Sequence, residues 1–166
     1  MKRIIIHWTG GTNQPNSTDF QHYHYLINSD GLAVGGKFYV SDNEVCKSDS
    51  KGHALYAAHC GGGNTGSIGV SLCGMKDFNG KPESTNYPLT AVQCEAAFKF
   101  IAELCKKYDI KITPDTVLTH YEFGIKHPKT SSYGKPDITF LHPYPWVKKN
   151  EVGNFIRGKV RWYYLK

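Results

Sequence analysis

Short β-branched runs alternate with polar, glycine-rich stretches along this chain, and one longer segment carries a helical period. Lys2 to Ile6 reads as a strand running straight into His7 and Trp8, and Thr9 to Thr18, rich in Gly, Asn, Pro, Ser and Thr, reads as a loop. Tyr23 to Ile27 is a second expected strand, closed by the turn Asn28-Ser29-Asp30-Gly31, with Leu32 to Val40 returning antiparallel to it. Ser67 to Leu72 is a third, preceded by Gly61-Gly62-Gly63-Asn64-Thr65-Gly66, a flexible loop or a close backbone approach to a ligand. The loop lacks the Lys-Ser/Thr ending of a phosphate-binding loop. Thr90 with Gln93 forms a capping box, and Val92, Ala96, Phe100 and Leu104 recur every four residues, so the spacing predicts a helix through Tyr108. Thr116 to Thr119 is a last strand-like run, ending in His120 and followed by a loop. The tail from His142 is broken by Pro143, Pro145, Gly153 and Gly158 and gives no clear element.

Strands alternating with a strong helix imply an α/β (α+β) fold: one domain spanning residues 1–166, with a central mixed β-sheet flanked by helices. A 166-residue chain with 40% hydrophobic content can bury most of its apolar surface around one core. Residues 138–166 read as a basic, aromatic C-terminal extension packed on or adjoining the domain. No apolar run is long enough to span a bilayer, and that at the start is too short for a signal peptide. Synthesis in the cytoplasm is therefore expected. Five cysteines, an odd set without a Cys-x-x-Cys pair, argue against a disulfide framework or a thiolate cluster; Cys73, Cys94 and Cys105 read as small buried hydrophobes.

The net charge is +6, and residues 141–166 hold six Lys and Arg against Glu151 alone. Such a face suits nucleic acid, anionic lipid or the anionic bacterial wall, and charge does not choose among them.

His7 and His120 each follow a strand end, where a neutral imidazole is rigidly placed for a metal. Further on, Lys135-Pro136-Asp137 sets a cation two residues before a carboxylate. Two histidines and a carboxylate satisfy a catalytic zinc and leave a fourth position open, although a strand-end histidine more often serves as a partly buried hydrogen-bonding residue, and Lys-Pro-Asp alone suits a solvated turn.

These pieces occur in a specific order: Ile-Ile-Ile-His-Trp-Thr, Tyr-His-Tyr-Leu-Ile-Asn-Ser-Asp-Gly, Ala-His-Cys-Gly-Gly-Gly-Asn-Thr-Gly-Ser-Ile-Gly-Val-Ser-Leu-Cys-Gly, Leu-Thr-His-Tyr-Glu and Lys-Pro-Asp. From about Lys2 to Asp137 the chain resembles the type-2 N-acetylmuramoyl-L-alanine amidases, a family that includes the peptidoglycan recognition proteins and small phage endolysins. The resemblance implies one zinc ion per chain held by His7, His120 and Asp137 at the strand ends of a surface groove, with Lys135 and Tyr23 as catalytic residues. Some members place a glutamate after Ser-Ile-Gly; Ser71 stands there, which is closer to the tyrosine-using branch. The segment between His7 and Tyr23 is shorter than in many relatives, implying a reduced groove wall.

His59 and Asn64 lie in matching blocks and are expected to line the groove, His59 either as a substrate contact or as a structural hydrogen-bonding residue. Trp8 stacks on a sugar or closes the core. Because strand neighbours face opposite ways, Tyr23 is expected to point into the site and His24 to pack behind it. His22, His53, His127 and His142 read as surface residues, His127 being the nearest to an exception. The implied partner is bacterial peptidoglycan, acted on by a monomer with no nucleic-acid role. A phage enzyme of this kind reaches the wall after release, dependent on a holin; a recycler of wall fragments and a non-catalytic binding module are the alternatives. The basic tail, with Lys148, Lys149, Arg157 and Lys159, is expected to help find the wall.

Overall fold

The computed structural model describes all residues from Met1 to Lys166. Five strands, β1 (Arg3–Trp8), β2 (Tyr25–Ile27), β3 (Ala33–Gly35), β4 (Ser67–Leu72) and β5 (Val117–Thr119), form one sheet in the order β3-β2-β4-β1-β5. Pairings of β1 with β4 and β5, and of β2 with β4, are parallel; β2 and β3 are antiparallel. Four helices complete the fold: α1 (Ser17–His22), α2 (Ala91–Lys107), α3 (His120–Lys126) and α4 (Val152–Tyr164). This is the mixed α/β domain expected of the sequence pattern.

Strand alternation sorts the side chains onto two faces. Ile4, Ile6 and Trp8 of β1, with Ile68, Val70 and Leu72 of β4, enter the main core beneath α2 and α4. On the opposite face Ile5 and Leu118 join Cys60 and Phe123 in a small cluster. His7 shares the Ile5 face at the carboxyl end of β1, so the pleat that buries the isoleucines also aims this imidazole away from the core. Carboxyl ends of parallel strands are the common position for sites in such sheets.

The helix α2 begins at the Thr90/Gln93 capping box. Its buried stripe, however, runs through Cys94, Ala97, Phe98, Ile101 and Cys105, while Val92 is 56% exposed. A strict spacing of four drifts off a face that turns every 3.6 residues, which is why, of the row Val92, Ala96, Phe100 and Leu104, Leu104 alone is fully in the core while Ala96 and Phe100 pack at its edge. Buried Gln93 ties the helix to the sheet, its amide nitrogen donating to the Ile27 and Cys73 carbonyls at 2.8 Å each.

Other boundaries differ from the sequence reading. The segment after Pro15 is not wholly loop, because Asn16 and Asp19 form a capping box that starts α1. That helix carries the chain to Tyr23, its C-cap, so β2 begins only at Tyr25. The return strand after Gly31 is only Ala33–Gly35, and a short 3-10 turn, Val40–Asn43, follows. His120 does not enter a loop; it opens α3, capped by Thr119 and Glu122.

The tail forms α4, whose Val152, Ile156 and Val160 belong to the main core. Of the four cations expected to help find the wall, two are engaged within the fold: Arg157 is 2% exposed and paired with Glu122, and Lys159 is paired with Glu95. Glu95 also accepts hydrogen bonds from Tyr144 and Tyr163, tying α4 and its approach to α2. Lys148, Lys149, Arg161 and Lys166 remain exposed. All five cysteines are free, and Cys60, Cys73, Cys94 and Cys105 are buried.

Candidate metal centre

At the carboxyl ends of β1 and β5 the structure brings together His7, His120 and Asp137, all buried, with ligand atoms within 4.8 Å of one another. Nδ1 of His7 lies 2.9 Å and Nδ1 of His120 lies 3.1 Å from the same carboxylate oxygen, Asp137 Oδ2. His7 is set by the strand; His120 is set by the first turn of α3, one residue beyond β5. Asp137 is joined to that turn, its carbonyl accepting from the Tyr121 N–H at 2.6 Å.

The far sides of both imidazoles are also held. His120 Nε2 lies 2.9 Å from Ser132 Oγ, and that hydroxyl is 2.8 Å from the Gly61 carbonyl. The carbonyl can only accept, so the single hydroxyl proton goes to Gly61 and His120 must donate from Nε2. Nδ1 is then the nitrogen left facing Asp137. His7 Nε2 meets His59 Nδ1 at 3.0 Å. The His59 ring lies against the sheet at Gly69, where a Cβ would come within 2.6 Å of it, so only glycine permits this approach.

Electrostatics support a cation at this point. Burial holds the His7 imidazole down at about 4 despite the neighbouring carboxylate, so it is neutral at neutral pH. Burial is the largest single influence on His120 and opposes its charge, but the hydrogen bonds and charges of Asp137 and Cys60 together outweigh it and raise the imidazole to about 9. Asp137, although buried, is kept well below the usual carboxylate range by His120 and His7. A proton therefore sits between His120 and Asp137 where a metal ion would replace it. Two neutral nitrogens and a carboxylate, aligned by partners on their outer atoms, fit one divalent ion.

His120 and Asp137 line an open cavity of about 410 Å³, whose wall also includes Trp8, His22, Tyr23, His59, Asn64 and Lys135; His7 is fully buried behind them. The Tyr23 ring centroid is 5.2 Å from that of His7. Burial and the Asp137 charge push its phenol up, so the hydroxyl stays protonated. Lys135 is exposed at the rim.

The remaining expected site residues divide differently. Asn64 Oδ1 accepts from the His59 and Cys60 backbone N–H groups at 2.9 and 2.8 Å, fixing the loop that carries His59. Trp8 is 6% exposed and packs edge-on against Phe78, closing the core at the cavity edge. His24 is packed behind His59, accepting from the Gly69 N–H at Nδ1, with Nε2 on Asn43 Oδ1. Among the surface histidines, exposed His22 reaches the cavity wall, whereas His127 lies over Phe123 and does not. Ser132 is a site residue that the sequence reading missed. It lies three residues before Lys135, yet its contact with His120 depends on a fold-back that spacing does not encode.

A family model described as Amidase_2, N-acetylmuramoyl-L-alanine amidase, matches residues 1–135. No curated protein matches the chain. Among solved structures it is similar to an endolysine N-acetylmuramoyl-L-alanine amidase, LysCS, from Clostridium intestinale URNW, with 16% identity, a TM-score of 0.47 and coverage of 81% of this chain and 77% of that one. It is also similar to the Drosophila peptidoglycan recognition protein SA, with 15% identity, a TM-score of 0.48 and coverage of 91% and 77% respectively.

Proposed function

Because the chain belongs to the N-acetylmuramoyl-L-alanine amidase family, we propose that it is a zinc-dependent amidase cutting the bond between the lactyl carbonyl of N-acetylmuramic acid and the L-alanine of the peptide stem in bacterial peptidoglycan. The observation that carries this reading is the convergence of the His7 and His120 Nδ1 atoms on Asp137, beside an open cavity lined by His120 and Asp137.

His7, His120 and Asp137 would hold the ion. A bound zinc supplies Lewis-acid polarisation and activates water near neutral pH. The protein's own groups do the rest. As the amide carbonyl is attacked, negative charge grows on its oxygen, and the Lys135 ammonium at the rim is the cation within the cavity wall free to approach it. The Tyr23 hydroxyl, held protonated, is a second donor in the cavity lining. His59 and Ser132 keep both imidazoles turned so that Nδ1 faces inward, and they act on the reaction only through those rings.

The proposal extends to a lytic role of phage type, in which the enzyme reaches the wall once the membrane is permeabilised. Its support is the tyrosine in the cavity and the exposed basic side chains of Lys148, Lys149, Arg161 and Lys166, which favour an anionic polymer. No helix is long and apolar enough to cross a membrane.

The bond assignment is tested by digesting intact peptidoglycan and weighing the soluble products. Cleavage as proposed releases stem peptides with a free L-alanine amino terminus and leaves the glycan strands uncut. Products bearing disaccharide, or peptides shortened within the stem, would assign a different hydrolase activity.

A further inference from the structure

We propose that Arg157, far along the C-terminal helix α4, is a positioning residue for the metal centre and holds His120 in place through Glu122; the inference rests on the zinc reading above. The β5 strand ends at Thr119 and α3 begins at His120, so the imidazole stands on the corner between them. Glu122 closes that corner: its Oε2 accepts from the Thr119 N–H at 3.0 Å, while Thr119 Oγ1 accepts from the Glu122 N–H at 3.1 Å. The Arg157 guanidinium grips both sides of the same corner. Nη1 donates to the Val117 carbonyl of β5 at 2.9 Å and to Glu122 Oε2 at 3.0 Å; Nη2 donates to Glu122 Oε1 at 2.9 Å and to Asn154 Oδ1 at 2.7 Å.

This is a forked arrangement in which Arg157 is only 2% exposed and its partner Glu122 is half-buried. A buried charge held by planar, bidentate geometry tolerates little displacement of either partner. The helix is pressed close to the carboxylate as well, since a Cβ at Gly153 would come within 2.0 Å of Glu122. The first turn of α3 carries His120 directly and also receives the Asp137 carbonyl at the Tyr121 N–H. A shift of that turn therefore moves two of the three ligands together. Arg157 lies outside residues 1–135, the part that the family model matches; the C-terminal helix thus completes the support of a site whose ligands precede it.

A purely structural ion pair would raise stability without tuning the metal, and the two roles separate experimentally. Zinc affinity is measured by chelator competition at a temperature where circular dichroism shows each protein folded, for wild type, Arg157→Met, Arg157→Lys and Ile156→Ala. Ile156 lies on the same helix but in the main core, so its truncation lowers Tm without touching Glu122. Arg157→Met is expected to bind zinc about 10- to 100-fold more weakly, the range seen when a partner orienting a ligand is lost. Arg157→Lys should recover only part of this, because an ammonium cannot span Val117 and both Glu122 oxygens. Ile156→Ala should bind zinc as the wild type does, despite its lower Tm. The inference is overturned if folded Arg157 variants keep wild-type affinity, or if Ile156→Ala weakens zinc equally for the same loss of Tm. Should Arg157→Met not fold, Arg157→Lys carries the comparison, and wild-type affinity there refutes it. A wild-type protein that takes up no zinc would overturn the proposed function, and this inference with it.

Discussion

Replacing His7 or His120 by alanine is expected to remove zinc and amidase activity together, with kcat/KM falling by at least about a thousandfold, since several kcal/mol of transition-state stabilisation depend on the ion. Each histidine supplies one of only two nitrogens in the trio. A site left with one imidazole and Asp137 falls short of the three protein ligands that a catalytic zinc requires. The two variants should differ in stability. His7 is fully buried and its loss leaves His59 Nδ1 without its partner and Asp137 Oδ2 with His120 alone, whereas His120 sits at the cavity wall. His7→Ala should therefore show the larger drop in Tm. Metal content by atomic absorption and kinetics on one preparation decide the matter, and either variant retaining both zinc and turnover would refute the ligand assignment.

Lys135→Ala is expected to keep about one zinc per chain, because His7, His120 and Asp137 remain, and to lose about 100-fold or more in kcat, the cost of one oxyanion donor. KM should change less, since the ground-state carbonyl carries little charge. Lys135 is exposed and its side chain makes no structural contact that would be missed, so the fold and Tm should be unaffected. Lys135→Arg should restore only part of the rate, as a planar guanidinium does not substitute for a compact ammonium in a confined position. A zinc-replete Lys135→Ala protein with nearly normal kcat would exclude the role; loss of zinc without unfolding would instead show that Lys135 serves to hold the Asp137 loop.

What was legible in the sequence follows from how local each signal is. The isoleucines of β1, the Ser67–Leu72 strand and the Thr90 capping box are runs of neighbours, and each formed as its pattern implied. The placing of His7 at a strand end came from the same local pattern, but its meeting with His120 and Asp137 was carried by the family resemblance, since no spacing brings residue 7 to residue 137. Two helix starts had signals that went unread: Asn16 with Asp19, and Thr119 with Glu122, are both capping boxes. The latter would have put His120 on a helix. Gly153 and Gly158 masked α4, because glycine lowers helix propensity; its formation depends on burying Val152, Ile156 and Val160 against α2 and the sheet, which is a tertiary effect. Arg157 illustrates the same limit. As a residue in a basic tail it reads as one of the cations that help find the wall, and only the fold places Glu122 opposite it.

The most direct test of the account is to strip the protein of metal with a chelator, verify by metal analysis that none remains, and follow release of stem peptides from peptidoglycan before and after adding one equivalent of zinc. The account predicts no release from the stripped protein and recovery of release, with free L-alanine amino termini, on adding zinc. Undiminished release of the same peptides by the verified metal-free protein would contradict it.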